Sequence, residues 1–413
     1  LLPDELRWWR RVEAAARDVF ARFGYDEIRT PLFEATELFV RGVGEGTDIV
    51  DKEMYTFEDK GNRSITLRPE GTAGVVRACI EHGLLDQIPV RKFCYIGRMY
   101  RYERPQAGRY REFWQAGIEV FGVADPIADA EVIVCGYEFI AALDLPGIVV
   151  QLNSIGHGER RDYVARLLDY ARPLSERFCG KCQHRMERNP LRLFDCKVPT
   201  CRELLADAPK TLEHLADESR ERLDTVRRLL DRAKVPYEMN PYIVRGLDYY
   251  THTVFEVTAE GLGSQDAVLA GGRYDGLVEE LGGKPTPGVG FGSGIDRLVL
   301  AMQAAQPDWR EPPRVDAYIA RIGSVPTEVA FVVATELRRA GLSVDMDYEG
   351  RSLRAQLKTA DRLGARYTLL LGEDELARES VTIRRMDDGA QETVPLSQVV
   401  TALAGRDNRP PTA

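Results

Sequence analysis

Val244-Arg245-Gly246-Leu247-Asp248-Tyr249-Tyr250-Thr251-His252-Thr253-Val254-Phe255-Glu256 sets an arginine on a glycine corner and runs from it into a strand. Alternation puts Thr253, Phe255 and Val257 on one face and Val254 and Glu256 on the other, so the strand reads as scaffold and the corner arginine as surplus to it. Ala270-Gly271-Gly272-Arg273-Tyr274-Asp275-Gly276-Leu277 follows, with a glycine pair where backbone bends or approaches something closely, and with Arg273 and Tyr274 displayed beside it. Arginines and tyrosines beside glycine turns suit a pocket for an anion and a flat ring. Taken singly, the first stretch also reads as a hairpin turn and the second as a surface loop.

Upstream, Arg98, Arg101, Arg104, Arg109 and Arg111 crowd a stretch that holds one acid, Glu103, together with Pro105 and Gly108. This composition reads as a loop between an incoming strand, 93–102, and an outgoing one, 113–121. A charge run is most often a solvated face. Here, though, the outgoing strand carries Gln115, Gly117 and Glu119 on one face, an acceptor-rich wall beside arginines that suits a zwitterion meeting a polyphosphate. Arginine is the apt cation, because its planar fork aligns two hydrogen bonds on phosphate or carboxylate. Thr66-Leu67-Arg68-Pro69-Glu70-Gly71-Thr72 adds a carboxylate and a hydroxyl at a Pro-Gly bend. The pair could hold an ammonium group, or Thr72 could simply cap a helix over 73–80. Gly288-Val289-Gly290-Phe291-Gly292-Ser293-Gly294 has glycine at alternate positions, room for a nucleotide to lie flat, before Ile295-Asp296-Arg297-Leu298-Val299-Leu300 starts a helix. It is neither a Walker loop nor a G-x-G-x-x-G turn.

The first two stretches resemble the signature motifs of histidyl-tRNA synthetases, close to R-G-L-D-Y-Y and A-G-G-R-Y-D, and both stand without substitution. The arginine loop is similar to motif 2 of class II aminoacyl-tRNA synthetases and the glycine strand with Arg297 to motif 3. The resemblance implies an α+β fold: a catalytic domain built on an antiparallel sheet flanked by helices (1–305), carrying a helical insertion (157–235). A linker (306–314), a C-terminal α/β anticodon-binding domain (315–405) and a tail (406–413) would follow. It also implies histidine activation by ATP with Mg2+, then transfer to tRNA(His). Arg101 and Arg245 would be catalytic. Histidine would be held by Glu70, Thr72, Arg101, Gln115, Glu119, Arg245, Tyr249 and Tyr250, with Glu119 and Tyr250 reading the imidazole. ATP would meet Arg101, Glu103, Arg109, Arg245 and Arg297, the last at the γ-phosphate. Family members often have His before the motif 2 glutamine; here it is Trp114, a change of packing more than of chemistry.

At 413 residues, 44% hydrophobic and 29% charged, the chain is long enough for two or three domains. Its net charge of -9 means that a phosphate-rich partner needs local basic faces. No apolar run approaches a membrane span, and Leu1-Leu2-Pro3-Asp4-Glu5 is not a signal peptide, so a cytoplasmic protein is expected. The first residue is not Met, so a few N-terminal residues are expected to be missing. Leu6, Trp9, Val12, Ala16, Val19, Phe20 and Phe23 recur at helical spacing before Gly24, and a strand broken by Pro31 follows. This pair resembles motif 1, which builds a homodimer interface in the family.

Cys179, Cys182, Cys196 and Cys201 read as C-x2-C-x13-C-x4-C, a spacing that could make a tetrahedral zinc site with His184 as an alternative ligand. The family as a rule needs no zinc, and Asn189-Pro190-Leu191-Arg192 also looks like a family segment in its own right. Beyond Pro307, Pro312 and Pro313, a helix over 352–363 sets Leu353, Leu357 and Ala360 on one face and Arg351, Arg354, Lys358 and Arg362 on another. Such a basic face is either solvated or a phosphate-binding surface. Resemblance to the anticodon-binding domain points Arg351, Arg354 and Lys358 at tRNA, along with Arg104 and Gln106 of the arginine loop. The competing reading is the histidine-sensing regulatory subunit of ATP phosphoribosyltransferase, a non-catalytic relative. The C-terminal domain, the intact Arg101, Arg245 and Arg297, and the full-length loop speak against it.

Overall fold

The computed structural model describes residues 1–44, 47–106, 108–244, 247–260, 267–309 and 315–404. Arg245 and Gly246 of the opening stretch, most of the linker and the tail therefore lie outside the described residues. The chain divides into two units, Leu1–Pro307 and Asp308–Ala413.

The first unit is organised by an eight-stranded sheet. Its order is Asp26–Glu27, Arg91–Tyr100, Glu112–Phe121, Gly288–Gly294, Ala267–Arg273, Thr251–Thr258, Val149–Ser154, Tyr237–Met239. The outermost pair at each end is parallel and every pair between is antiparallel. Helices cover one face. Helix Pro3–Arg22 starts with proline at its first position and Asp4 and Glu5 in the first turn, where a carboxylate meets the positive end of the helix dipole. It buries Trp8, Trp9, Val12, Ala16, Val19 and Phe20, and the chain turns off at Gly24, φ 77°. Phe20 packs edge-on against Phe139 of helix Ile127–Ala141 at 5.4 Å and against Phe291 of the sheet at 6.0 Å. Burying each such ring contributes roughly 1.5–3 kcal/mol. The site is left to the opposite face.

The strand expected to be broken at Pro31 is short. Asp26–Glu27 joins the large sheet, and Phe33–Ala35 belongs to a separate antiparallel sheet with Ser64–Leu67 and Tyr55–Glu58. Pro31 lies where the chain changes sheets, consistent with its missing ladder donor.

The stretch expected as one insertion divides in two. Helices Arg160–Ala171, Gly180–Arg188 and Pro199–Leu204 share a core of Tyr163, Leu167, Phe178, Met186, Leu193 and Leu204 with the four cysteines, and Val244 joins it. Helix Asp217–Ala233 instead packs on helix Ile127–Ala141, as part of the main layer.

The second unit is a five-stranded sheet ordered Val344–Met346, Val315–Arg321, Ala365–Leu371, Ser380–Arg385, Gln391–Pro395, with the first three strands parallel and the rest antiparallel. Ala317 and Ile319 face a core that includes Ala330, Val333 and Leu337 of helix Thr327–Arg339. Tyr318 and Ala320 face Ala360, Leu353 and Leu357 of helix Leu353–Arg362 on the other side. Helices on both faces make this the expected α/β unit. Among the described residues no helix is long and apolar enough to cross a membrane.

Candidate active site

Two strands and one helix start bring the acidic end of the site together. Glu119, on Glu112–Phe121, is 1% exposed. It accepts hydrogen bonds from Tyr274 and, at 2.7 Å, from the Thr72 hydroxyl. Burial pushes its carboxyl up to about 8, against the lowering effect of those bonds and with a further rise from Glu70 nearby. Glu70 itself is 3% exposed and accepts from the backbone N–H groups of Thr72 and Ala73 at 2.7 and 2.8 Å, which caps helix Thr72–Glu81. Thus the cap is Glu70, and the Thr72 hydroxyl is turned to Glu119 instead. Tyr249 and Tyr250 stand beside them with ring centroids 4.7 Å apart, and Tyr249 meets Tyr274 edge-on at 5.6 Å.

Tyr250 reaches this place through an irregularity. His252 has a left-handed φ of 46°, and the ladder to Ala267–Arg273 slips between Gly272↔Val254 and Arg273↔Thr251. A bulge of this kind re-aims the side chains that precede it. The ring of Tyr250 then lies over Gly272, where a Cβ would meet it at 2.9 Å.

The glycine strand is used differently from expectation. A Cβ on Gly288 would collide with the ring of Tyr274, on Gly290 with the Glu119 carboxylate, and on Gly292 with the Gln115 amide. Three of the four alternate glycines therefore make room for the protein's own side chains. Gly294 alone among them is open, its nearest neighbour being Arg297 Cγ at 3.8 Å.

Beyond Gly294 a cleft of about 180 Å³ is lined by Arg101, Glu103, Arg109, Gln115, Asp296 and Arg297, with Gly108, Tyr110 and Phe113 between them. Arg101 lies over the Phe113 ring at 5.2 Å and donates from Nε to the Pro69 carbonyl at 2.8 Å, which ties the loop to the segment that carries Glu70. Glu103 sits between two guanidiniums, 3.3 Å from Arg109 and 4.0 Å from Arg101. Gln115 lies where the cleft meets the acidic end. Its Oε1 is buried without a hydrogen-bond partner among the described residues, an acceptor aimed at the site. Trp114 turns outward, stacked under Arg98 at 5.3 Å, while its backbone N–H is fixed by Asp296 at 2.7 Å. Arg104 and Gln106 are exposed at the tip of the loop.

Arg273 corrects the reading of the second stretch. It is fully buried and faces away from the cleft, with both Nε and Nη2 donating to Asp129, and Nη1 to Asp275 and the Val123 carbonyl at 2.9 Å each. It fastens the strand end to the start of helix Ile127–Ala141. Only Tyr274 of that pair serves the site.

Several residues here drew no notice in the sequence. Tyr95 faces Gly117 across the ladder and fills the space above Gly117 and Gly71 beneath Glu119. Arg68, 8% exposed, donates to the carbonyls of Arg98 and Thr30 at 2.8 and 3.0 Å and so clasps three segments. A large residue opposite a glycine becomes a signal only once the strand register is known.

In the second unit, Arg354 and Lys358 are exposed on helix Leu353–Arg362. Arg351 lies before that helix rather than on it, and its guanidinium is 3.1 Å from the fully buried Asp347 carboxylate. Gln356, also missed, is fully buried and bonded to the backbone of Arg321 and Arg351.

An antiparallel sheet that carries an arginine loop, an acceptor wall and a glycine strand running into a helix is the catalytic sheet of a class II aminoacyl-tRNA synthetase. Comparison with known proteins sharpens this. The family model described as histidyl-tRNA synthetase matches residues 1–161 and 179–298, and an anticodon binding domain matches 316–406. Histidine–tRNA ligases of Desulforudis audaxviator and Halothermothrix orenii are 50% and 47% identical, over 99% and 98% of this chain and 97% and 96% of theirs. The apo histidyl-tRNA synthetase of S. aureus superposes with a TM-score of 0.81 at 35% identity, covering 98% of this chain and 97% of its own. A Bacillus halodurans structure titled ATP phosphoribosyltransferase regulatory subunit/histidyl-tRNA synthetase shares the fold, at TM-score 0.65 and 21% identity over 90% of this chain and 96% of its own. The chain belongs to the histidyl-tRNA synthetase family.

Proposed function

We propose that the protein attaches L-histidine to tRNA(His) in two steps at this one site. The histidine carboxylate attacks the α-phosphorus of ATP and pyrophosphate leaves; the 3'-terminal ribose hydroxyl of the tRNA then attacks the acyl carbon and AMP leaves. The observation that carries the reading is Gln115, which lines the cleft with Arg101, Arg109 and Arg297 and shares a strand face with the buried Glu119 and its partners Thr72 and Tyr274. A buried carboxyl among tyrosines suits an amino acid with a polar ring, and the arginine cleft suits a triphosphate.

In this reading Glu119 and Tyr250 take the imidazole, while Gln115, Glu70 and Thr72 face the ammonium group and Tyr249 closes the pocket wall. Arg101 bridges the histidine carboxylate and the α-phosphate. Arg245 acts at the α-phosphate, a role that rests on family resemblance. Arg109 and Arg297 hold the outer phosphates. ATP enters as its magnesium complex, and Mg2+ binds chiefly through phosphate oxygens with one or two carboxylates. Glu103 and Asp296, the carboxylates of the cleft, fit that need. Catalysis then consists of in-line positioning and charge stabilisation. Arg104 and Gln106 at the loop tip, and Arg351, Arg354 and Lys358 in the second unit, face the tRNA. The protein acts in the cytoplasm, where these substrates occur. The catalytic domain ends at about residue 305, and 315–405 binds the anticodon.

Histidine-dependent ATP–pyrophosphate exchange, run against all twenty amino acids, tests the reading. Exchange with histidine alone is expected. Histidine binding without exchange would instead place the protein with the regulatory subunit.

The elevated carboxyl of Glu119 gives a pH signature. Below about 8 the free protein holds a proton on Glu119, whereas a ring N–H that donates to this group favours the carboxylate. Between roughly pH 6.5 and 8 the histidine imidazole is itself neutral. Histidine affinity should therefore rise as pH rises, by up to about tenfold per unit, and level off above 8. Calorimetric titration of the wild type and of Glu119→Gln checks this; an equally steep rise in the variant would remove Glu119 from the role.

The small sheet supports a homodimer. Phe33, Ile65 and Phe57 share one of its faces, and Phe33 and Phe57 are 57% and 49% exposed, with Leu32 adjacent at 43%. A contiguous apolar face of this kind marks an interface. Sedimentation equilibrium should find a dimer for the wild type and a monomer for Phe33→Glu/Phe57→Glu. A wild-type monomer, or an undisturbed double variant, would exclude this face.

A further inference from the structure

We infer that Cys179, Cys182, Cys196 and Cys201 form a structural zinc(II) site that braces the cysteine-bearing subdomain against the catalytic loops. The four Sγ atoms all lie within 4.8 Å of one another, and those of Cys179 and Cys196 are 3.9 Å apart. A Zn–S bond of about 2.3 Å gives a tetrahedron with edges of about 3.8 Å, so the cluster matches a four-thiolate cage closely. His184 is exposed on helix Gly180–Arg188 and stands outside the group.

The local backbone is that of a metal knuckle. Cys179 is extended just before the helix, and the N–H of Cys182 turns back to its carbonyl at 2.8 Å. The N–H of Cys179 points at Cys201 Sγ, 3.3 Å away, a donor to a sulfur that carries charge. Zinc with four thiolates bears two negative charges. Between residues 172 and 202 the chain holds eight Lys or Arg against three Asp or Glu, which offsets them.

Two further facts favour a metal over simple packing. This subdomain's own core is small, and units of that size commonly need a staple. In addition, the segment between the second and third cysteines is where the subdomain grips the rest of the unit. Asn189 donates to Asp248 at 2.5 Å, Arg192 to Asp48 at 3.0 Å and Arg188 to Asp51 at 3.2 Å. Asp248 belongs to the same motif as Arg245. The zinc thus holds in place the turn that positions both loops, and the inference does not depend on the ligase reading.

The test uses the full-length wild type, purified under reducing conditions without chelator. Elemental analysis should give one zinc per chain. Exchange for cobalt(II) should produce the intense visible bands of a tetrahedral thiolate site. Stripping the metal should raise hydrogen exchange across 178–202 while leaving the central sheet strands unchanged. Cys196→Ser should lose the zinc and Cys94→Ser, a buried cysteine elsewhere, should keep it. Protein from zinc-replete cells that carries no zinc, binds no cobalt and has all four thiols reactive would overturn the site. So would a disulfide among the four.

Discussion

Arg101→Met should lower histidine-dependent ATP–pyrophosphate exchange by about 10²–10³, the usual cost of removing one preorganised donor from a developing charge. The effect belongs in kcat more than in KM for histidine, because the guanidinium is proposed to bind most strongly where charge builds on the α-phosphate. Met keeps the length of the aliphatic stem while removing the guanidinium that lies over the Phe113 ring. The loss of the bond to the Pro69 carbonyl is expected to cost about 0.5–1.5 kcal/mol in stability, too little to explain the kinetic defect. Steady-state exchange and a denaturation curve on the same preparation decide it. A fall of less than tenfold, or one confined to KM, would move the catalytic role elsewhere in the cleft.

Asp129→Ala should destabilise the first unit by about 3–5 kcal/mol, since it leaves a buried guanidinium without its main partner. Both side chains of the Arg273–Asp129 pair are fully buried, whereas the second carboxylate, Asp275, is 27% exposed and accepts one of the bonds. Asp275→Asn should accordingly cost much less. Urea unfolding of the three proteins checks the order. Exchange activity in Asp129→Ala should also fall, because Arg273 anchors the strand end that presents Tyr274 to Glu119. Wild-type stability in Asp129→Ala would return Arg273 to the ligand-binding role that its motif suggested.

That pair shows where reading the chain falls short. Arg273 stands beside glycines in its motif as Arg245 does in the first stretch, and nothing in the sequence around Arg273 says that its guanidinium is buried among core residues. Asp129 is 144 residues away in sequence. Likewise the alternate glycines of 288–294 promised open space for a nucleotide, and the segments on either side filled three of them, Glu119 and Gln115 from one neighbouring strand and Tyr274 from the end of the other. The face they belong to was legible from alternation; its occupants were not.

Other features were legible because they are local or periodic. The opening helix, the two strands around the arginine loop, the shared face of Gln115 and Glu119, and the helix after Gly294 follow from hydrophobic period and glycine placement. The cysteine spacing foretold a cluster, since Cys179 and Cys182, and Cys196 and Cys201, lie close in sequence. By itself the chain thus determined its family and its main helices and strands, and it put forward the candidate residues, all of which rest on spacing or motif. Tertiary structure alone decided that Glu70 caps a helix, that Thr72 turns to Glu119, that Tyr95 lies beneath them and that Arg273 is structural. Burial and strand register set those outcomes, and both depend on residues far apart in the chain, whose approach no local pattern encodes.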